Sequence, residues 1–209
     1  IVDGSVIKGM FRYDPPPTAT ELGNFMPIQQ TGVCGTARIN SWGDIAFQSE
    51  DLFGNCSWKY YRSATATTPG LVVDTAITNG LVCGVNDFGS IIGLSNNSLI
   101  QFDVFLDQTR VLGLSGSDKA GINNRGDVAF TRNVPKGKFF NQQPVRYDEQ
   151  LDGLQILRND GVAFDINADG DVCGAVNMSG GTPLLFPGEG GSVDINSQVT
   201  GLAADVNKW

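Results

Sequence analysis

The sequence predicts an all-β fold, a single five-bladed β-propeller, and three observations predict it. The composition favours strands joined by turns: 27 of 209 residues are Gly, only 17% are charged, and no stretch dense in Ala, Glu, Lys and Leu occurs. An aliphatic-Asn-x-x-Gly motif recurs along the chain, and an aromatic strand follows each of its first four copies. The chain opens in the second half of such a unit and stops after the first half of one. Joining those halves is expected to complete a blade and close a ring whose strand edges are protected. An open β-solenoid, the alternative, would not need complementary ends.

The motif copies are INSWGDIAF (39–47), VNDFGSIIG (85–93), INNRGDVAF (122–130), INADGDVCG (166–174) and a shortened INSQVTG (195–201) that lacks the Gly. Asn40, Asn86, Asn123, Asn167 and Asn196 therefore mark the units. The physics is that of a tight hairpin: Asn opens a turn by bonding the backbone two residues on, and Gly three residues later accepts the left-handed conformation. Apolar alternation after the turn, as in Ile45 and Phe47 or Val128 and Phe130, reads as the outgoing strand, with a segment such as VCGTARI (33–39) as the incoming one.

The aromatic strands are MFRYD (10–14), WKYYR (58–62), FDVFLD (102–107), PVRYD (144–148) and PLLFPG (183–188). Each precedes a further β-like stretch: TATELG (18–23), GLVVD (70–74), TRVLGL (109–114), LDGLQIL (151–157) and GSVDI (191–195). Five units of about 42 residues, four strands each, give one domain over 1–209. Its blades span 193–209 with 1–25, then 31–76, 81–116, 120–158 and 162–192.

On these units the chain resembles bacterial extracellular repeat proteins of the HAF type, which pair an aliphatic-Asn-x-x-Gly hairpin with an aromatic strand. The resemblance covers nearly the whole chain and implies secretion and a propeller-like repeat fold. It transfers no catalytic residue. This chain departs from the pattern by having no His before the aromatic strands.

A formal charge of −8 with scattered Lys and Arg argues against a nucleic-acid partner. No apolar run is long enough to span a bilayer. The start at Ile1 suits a mature secreted product, extracellular or periplasmic. Cys34, Cys56, Cys83 and Cys173 form an even set with three pairings open, and disulfides are expected. Zero His removes the usual general base, so no catalytic residue is assigned and the chain is read as a non-enzyme.

Asp165, Asn167, Asp169 and Asp171 alternate around Gly170 like calcium ligands, the one metal or cofactor suggested. The bidentate Glu of such a loop falls on Val176, and the other repeats lack the set. Asp44, Asp127 and Asp171 follow the turn Gly, with Ser90 in their place in another unit; carboxylates on one face of a ring are the geometry a five-bladed glycoside hydrolase would use. The loops 47–61, with Trp58, Tyr60 and Tyr61, and 132–144, with Phe139 and Phe140 beside Lys136 and Lys138, are the expected binding surfaces. The expected role is a binding or structural module with a protein partner in a larger extracellular assembly. A carbohydrate-binding lectin, with one Asn-bearing site per repeat, is the alternative, and a glycoside hydrolase the second.

Overall fold

The computed structural model describes residues 10–14, 24–29, 32–64, 70–176, 181–188 and 191–195. Their elements are seventeen strands, and among them no helix is long and apolar enough to cross a membrane. The all-β class read from the sequence is thus the observed one. The strands form antiparallel sheets of two, seven, four and four strands. The chain divides into two compact units, Ile1–Val82 and Cys83–Trp209.

In the first unit β1 (Met10–Asp14) pairs with β2 (Asn24–Gln29). The expected strand 18–23 lies outside the described residues, as do Asn196 and further parts of the expected closing blade, 1–9 and 196–209. Four strands follow as a meander: β3 (Val33–Ile39), β4 (Ile45–Glu50), β5 (Cys56–Arg62) and β6 (Leu71–Thr78). Along β4 five consecutive residues, Ile45 to Ser49, are buried, so both faces of this strand are covered. Ile45, Phe47 and Tyr61 form its core cluster with Ile28 and Val72.

The division between units falls within β7 (Gly80–Val85), the edge of the seven-stranded sheet. That sheet continues through β8 (Ser90–Ser95), β9 (Ser98–Asp103), β10 (Gln108–Ile122), β11 (Val128–Lys136), β12 (Phe139–Asp148) and β13 (Gly153–Ile156). It is two four-strand meanders sharing one long strand: residues 108–114 of β10 pair with β9, and residues 115–122 pair with β11. The register shifts between Ser115 and Ala120, where the sequence places a boundary between repeats. A core of Ile92, Leu99, Leu112, Val128, Phe130 and Val145 joins the halves. The last sheet is β14 (Val162–Ile166), β15 (Val172–Ala175), β16 (Pro183–Phe186) and β17 (Val193–Asp194). It buries Ala163, Ile166, Val172, Leu184 and Phe186 against Ala129.

One aromatic strand is displaced from its expected place. The strand is β9, ending at Asp103, and residues 104–107 form a turn instead of continuing it. The Asp103 carboxylate accepts the backbone N–H groups of Phe105 and Leu106, each at 2.9 Å, and closes the chain into that turn.

Candidate functional site

The four described motif copies share one hydrogen-bonding pattern. Each Asn Oδ1 accepts two backbone N–H groups, from the residues two and four positions on: Trp42 and Asp44, Phe88 and Ser90, Arg125 and Asp127, Asp169 and Asp171, all within 2.8–3.1 Å. The turn Gly then takes a positive φ, +81° at Gly43, +78° at Gly89 and +87° at Gly126 and Gly170. Where Asp follows the Gly, its Oδ2 accepts the Asn Nδ2 at 3.1 Å, as at Asp44, Asp127 and Asp171.

The second carboxylate oxygen of each Asp is engaged as well. Asp44 accepts the N–H of Ser63 at 2.7 Å, Asp127 that of Glu149 at 3.2 Å and Asp171 that of Gly188 at 2.8 Å. These donors stand just past the aromatic strand, so the acid pins the end of that strand to the hairpin tip. Burial alone would raise the Asp127 carboxyl, but the bonds from Asn123 and Arg125 outweigh it and hold the group below its ordinary 3.8. The Gly188 and Asn167 bonds likewise lower Asp171. Three acids that resemble a catalytic set therefore serve as locks of the repeat.

The calcium candidates are engaged by the same chemistry. Asn167 Oδ1 and Asp171 Oδ2 are occupied within the turn, Asp171 Oδ1 accepts the N–H of Gly188, and Asp165 Oδ1 accepts the N–H of Ile166 from within β14. Among the described residues no three Asp, Glu, Cys or His side chains gather as a metal cluster.

The expected aromatic surface of loop 47–61 requires correction. Trp58, Tyr60 and Tyr61 are buried at 0%, 1% and 5% exposure, because they lie on β5, whose faces are both packed. Tyr60 donates its hydroxyl to Asp44 at 2.7 Å. What that loop presents instead is Leu52 and Phe53, in the turn between β4 and β5. Phe139 and Phe140 are exposed, at 79% and 67%, at the tip of the long β11–β12 hairpin beyond Gly137.

Of the four cysteines, Cys34 and Cys56 are joined, from the start of β3 to the start of β5. Cys83, buried, and Cys173, exposed, are not disulfide-bonded, which corrects their inclusion among the disulfide candidates. Burial and then Asp165, its partner across the β14–β15 ladder, push the Cys173 thiol up.

Within the second unit, two clefts open at the hairpin-tip end of adjacent meanders, and no sequence signal announces them. The first, about 240 Å³, is lined by Phe88, Ser90, Gln101 and Asp103 on one side and by Arg125 and Glu149 on the other. Arg110 crosses it, bonding Glu149 at 2.9 Å and the Tyr147 hydroxyl. The second, about 590 Å³, lies between the tips at Arg125 and Asp169. There Arg146 donates to the carbonyls of Gly170 and Gly188, each at 3.0 Å.

No family model and no curated protein matches the chain. Among solved structures it is similar to the crystal structure of the tricorn protease, at 14% identity and a TM-score of 0.54. That likeness covers 76% of this chain and 18% of the other, so the chain spans less than a fifth of it, and what the two share is the fold.

Proposed function

We propose that this chain is a secreted, non-enzymatic β-propeller of five units that binds a protein partner through the tip of its β11–β12 hairpin. The repeat architecture is supported by four successive four-strand meanders, the middle two sharing β10, with β1–β2 supplying half of a fifth. On this reading the ring closes where the C-terminal segment joins the N-terminal strands, giving one domain over 1–209 with the blades set out above. The Cys34–Cys56 bond and the resemblance to HAF-type extracellular repeats support an oxidising, extracytoplasmic setting.

The observation that carries the binding role is the pair Phe139 and Phe140, two large aromatic rings held in solvent on a paired two-stranded ribbon and flanked by Lys136 and Lys138. Aromatic anchors surrounded by polar residues are what a protein interface uses at its energetic centre. The two Lys, on a chain of formal charge −8, favour a partner with an acidic rim around an apolar pocket. Proteolysis is not carried over from the tricorn protease, and the hydrolase reading loses support because Asp44, Asp127 and Asp171 are all engaged as locks. A lectin using each repeat's Asn loses support for the same reason.

The test is affinity capture from the extracellular fraction of the native source, with cross-linking, comparing the whole chain with F139S/F140S and with D169N. A partner retained by wild type and D169N but lost from F139S/F140S supports the assignment. Equal capture by all three refutes it.

A further inference from the structure

The strand registers make the repeats comparable position by position. Tyr61, Phe102, Tyr147 and Phe186 stand opposite Ile45, Ile91, Val128 and Val172, the residues two positions after each turn Gly. One residue earlier on the same strands lie Tyr60, Gln101, Arg146 and Leu185. Tyr60 is tied to Asp44, Arg146 spans its cleft to two carbonyls, and Leu184 and Phe186 flank Leu185 in a packed strand. Gln101 is different: it is only 9% exposed, it lines the first cleft, and its Oε1 has no hydrogen-bond partner.

The same repeat departs from its neighbours at a second position that lines the same cleft. Where the other described tips carry the lock Asp, this one carries Ser90, and the N–H of Val104 is taken by the carbonyl of Gly89 at 3.2 Å instead. A short hydroxyl thus replaces the lock Asp, and an uncharged amide stands where Tyr60 and Arg146 make their bonds in two of the other repeats. Departures from a repeat that leave a buried polar atom unpaired are expected at functional positions.

We propose that this cleft, over Gln101 and Ser90, is a binding site for a neutral saccharide of about one ring. The cations that line the cleft are already paired, Arg110 with Glu149 at 2.9 Å and Arg125 with Asp127 at 2.8 Å, so an anionic ligand finds no free counter-charge there. What remains is uncharged hydrogen-bonding capacity from Ser90 and the Gln101 amide, beside the Asp103 carboxylate. Sugar hydroxyls both donate and accept, and rotation about the last amide torsion of Gln101 presents either its oxygen or its nitrogen to them. At the rim Phe88, 59% exposed, offers an apolar ring for the C–H face of a sugar. A volume of about 240 Å³ equals roughly eight waters at about 30 Å³ each, room for one ring and not for an extended chain within the cleft.

The site is separate from the β11–β12 hairpin tip, so the two assignments stand or fall apart. The experiment is an amide NMR titration of the whole chain with methyl glucoside, methyl galactoside, methyl mannoside, xylose and N-acetylglucosamine, with glucuronate as the charged comparison. Saturable shifts confined to the neighbourhood of Ser90, Asp103, Arg110 and Gly126 with at least one neutral sugar are expected. Q101L, which installs the residue of the equivalent position 185, and F88A, at an exposed site, should each weaken that binding at least about tenfold. F139S/F140S should leave it unchanged. The assignment is overturned if no neutral sugar gives saturable local shifts, if Q101L and F88A bind as wild type, or if glucuronate alone binds.

Discussion

Asp127 is the sharpest test of the lock read from the hairpin tips. Its carboxylate is 5% exposed and accepts the N–H of Glu149 at 3.2 Å, Asn123 Nδ2 at 3.1 Å and Arg125 Nε at 2.9 Å. In D127A the Arg125 side chain, 54% exposed, returns to water at little cost. The Glu149 N–H is part-buried, so losing its partner costs up to the roughly 1–3 kcal/mol of a buried donor. Asn123 Nδ2 keeps its second acceptor, the carbonyl of Asn167. The sum is about 1–3 kcal/mol, a fall in Tm of roughly 2–12 °C for a chain of this size. D127N keeps an acceptor for Glu149 but turns an amide toward donors, so it should fall between. Thermal denaturation followed by circular dichroism measures both, with D169N, at the exposed tip of another hairpin, as the comparison. The folded carboxyl lies below its ordinary 3.8, so its contribution is complete above that value and disappears as pH falls through the folded value. Wild type should therefore lose Tm on acidification more steeply than D127N. A D127A midpoint within about 1 °C of wild type would refute the lock.

Three further outcomes follow from the same structure. Without reductant, a thiol reagent should modify one group, Cys173, slowly at neutral pH because its thiol is pushed up, and a second, Cys83, only after unfolding; four reactive thiols in the unreduced, unfolded chain would contradict the Cys34–Cys56 bond. Replacing both bonded cysteines with Ser should lower stability by about 3 kcal/mol, since their separation of 22 residues closes a loop of moderate length, and urea unfolding measures it. Calcium and chelator should leave the melting midpoint unchanged, because the oxygens of Asn167 and Asp171 are already committed to the turn; a calcium-dependent rise would place an ion there.

What was legible in the chain is what the repeat imposes. INNRGD and its relatives located four hairpins because Asn and Gly at that spacing leave the backbone few alternatives, and each observed tip uses the same bonds. FDVFLD misled because composition marks a strand while a single side chain, Asp103, ends it. WKYY looked like a surface because alternation assigns its residues to two faces without revealing that both are covered. The first cleft was illegible for a different reason. Gln101 and Arg110 become cross-strand partners only through the β9–β10 register, and Glu149 reaches them from the next meander. Ser90 was visible as an exception to Asp, but its meaning needed the neighbouring residue at 101.

The persistence of Asn in every motif copy, while the post-Gly acid varies, has a chemical reason that D127A does not test. In the four described copies the Asn Oδ1 is spent on its own turn, and in the second unit two of the Nδ2 groups reach the next tip: Asn86 donates to the carbonyl of Asn123 and Asn123 to that of Asn167, both at 3.1 Å. The tips of the second unit are thus linked in series by the residue that forms them. Asp accepts the two turn bonds equally well, but it has no donor for the next carbonyl. In N123D a carboxylate, where Asn123 is 5% exposed, would face the Asn167 carbonyl and the Asp127 carboxylate together. Two like charges in one buried turn, with the link to the Asn167 carbonyl lost, should cost about 3 kcal/mol at neutral pH. Protonating the new carboxyl would restore a donor, so the loss relative to wild type should shrink as pH falls, the reverse of the trend at Asp127. Urea unfolding across the acid range separates the two substitutions. An N123D chain as stable as wild type at neutral pH would mean that the turn needs only an acceptor and that the link between tips contributes nothing.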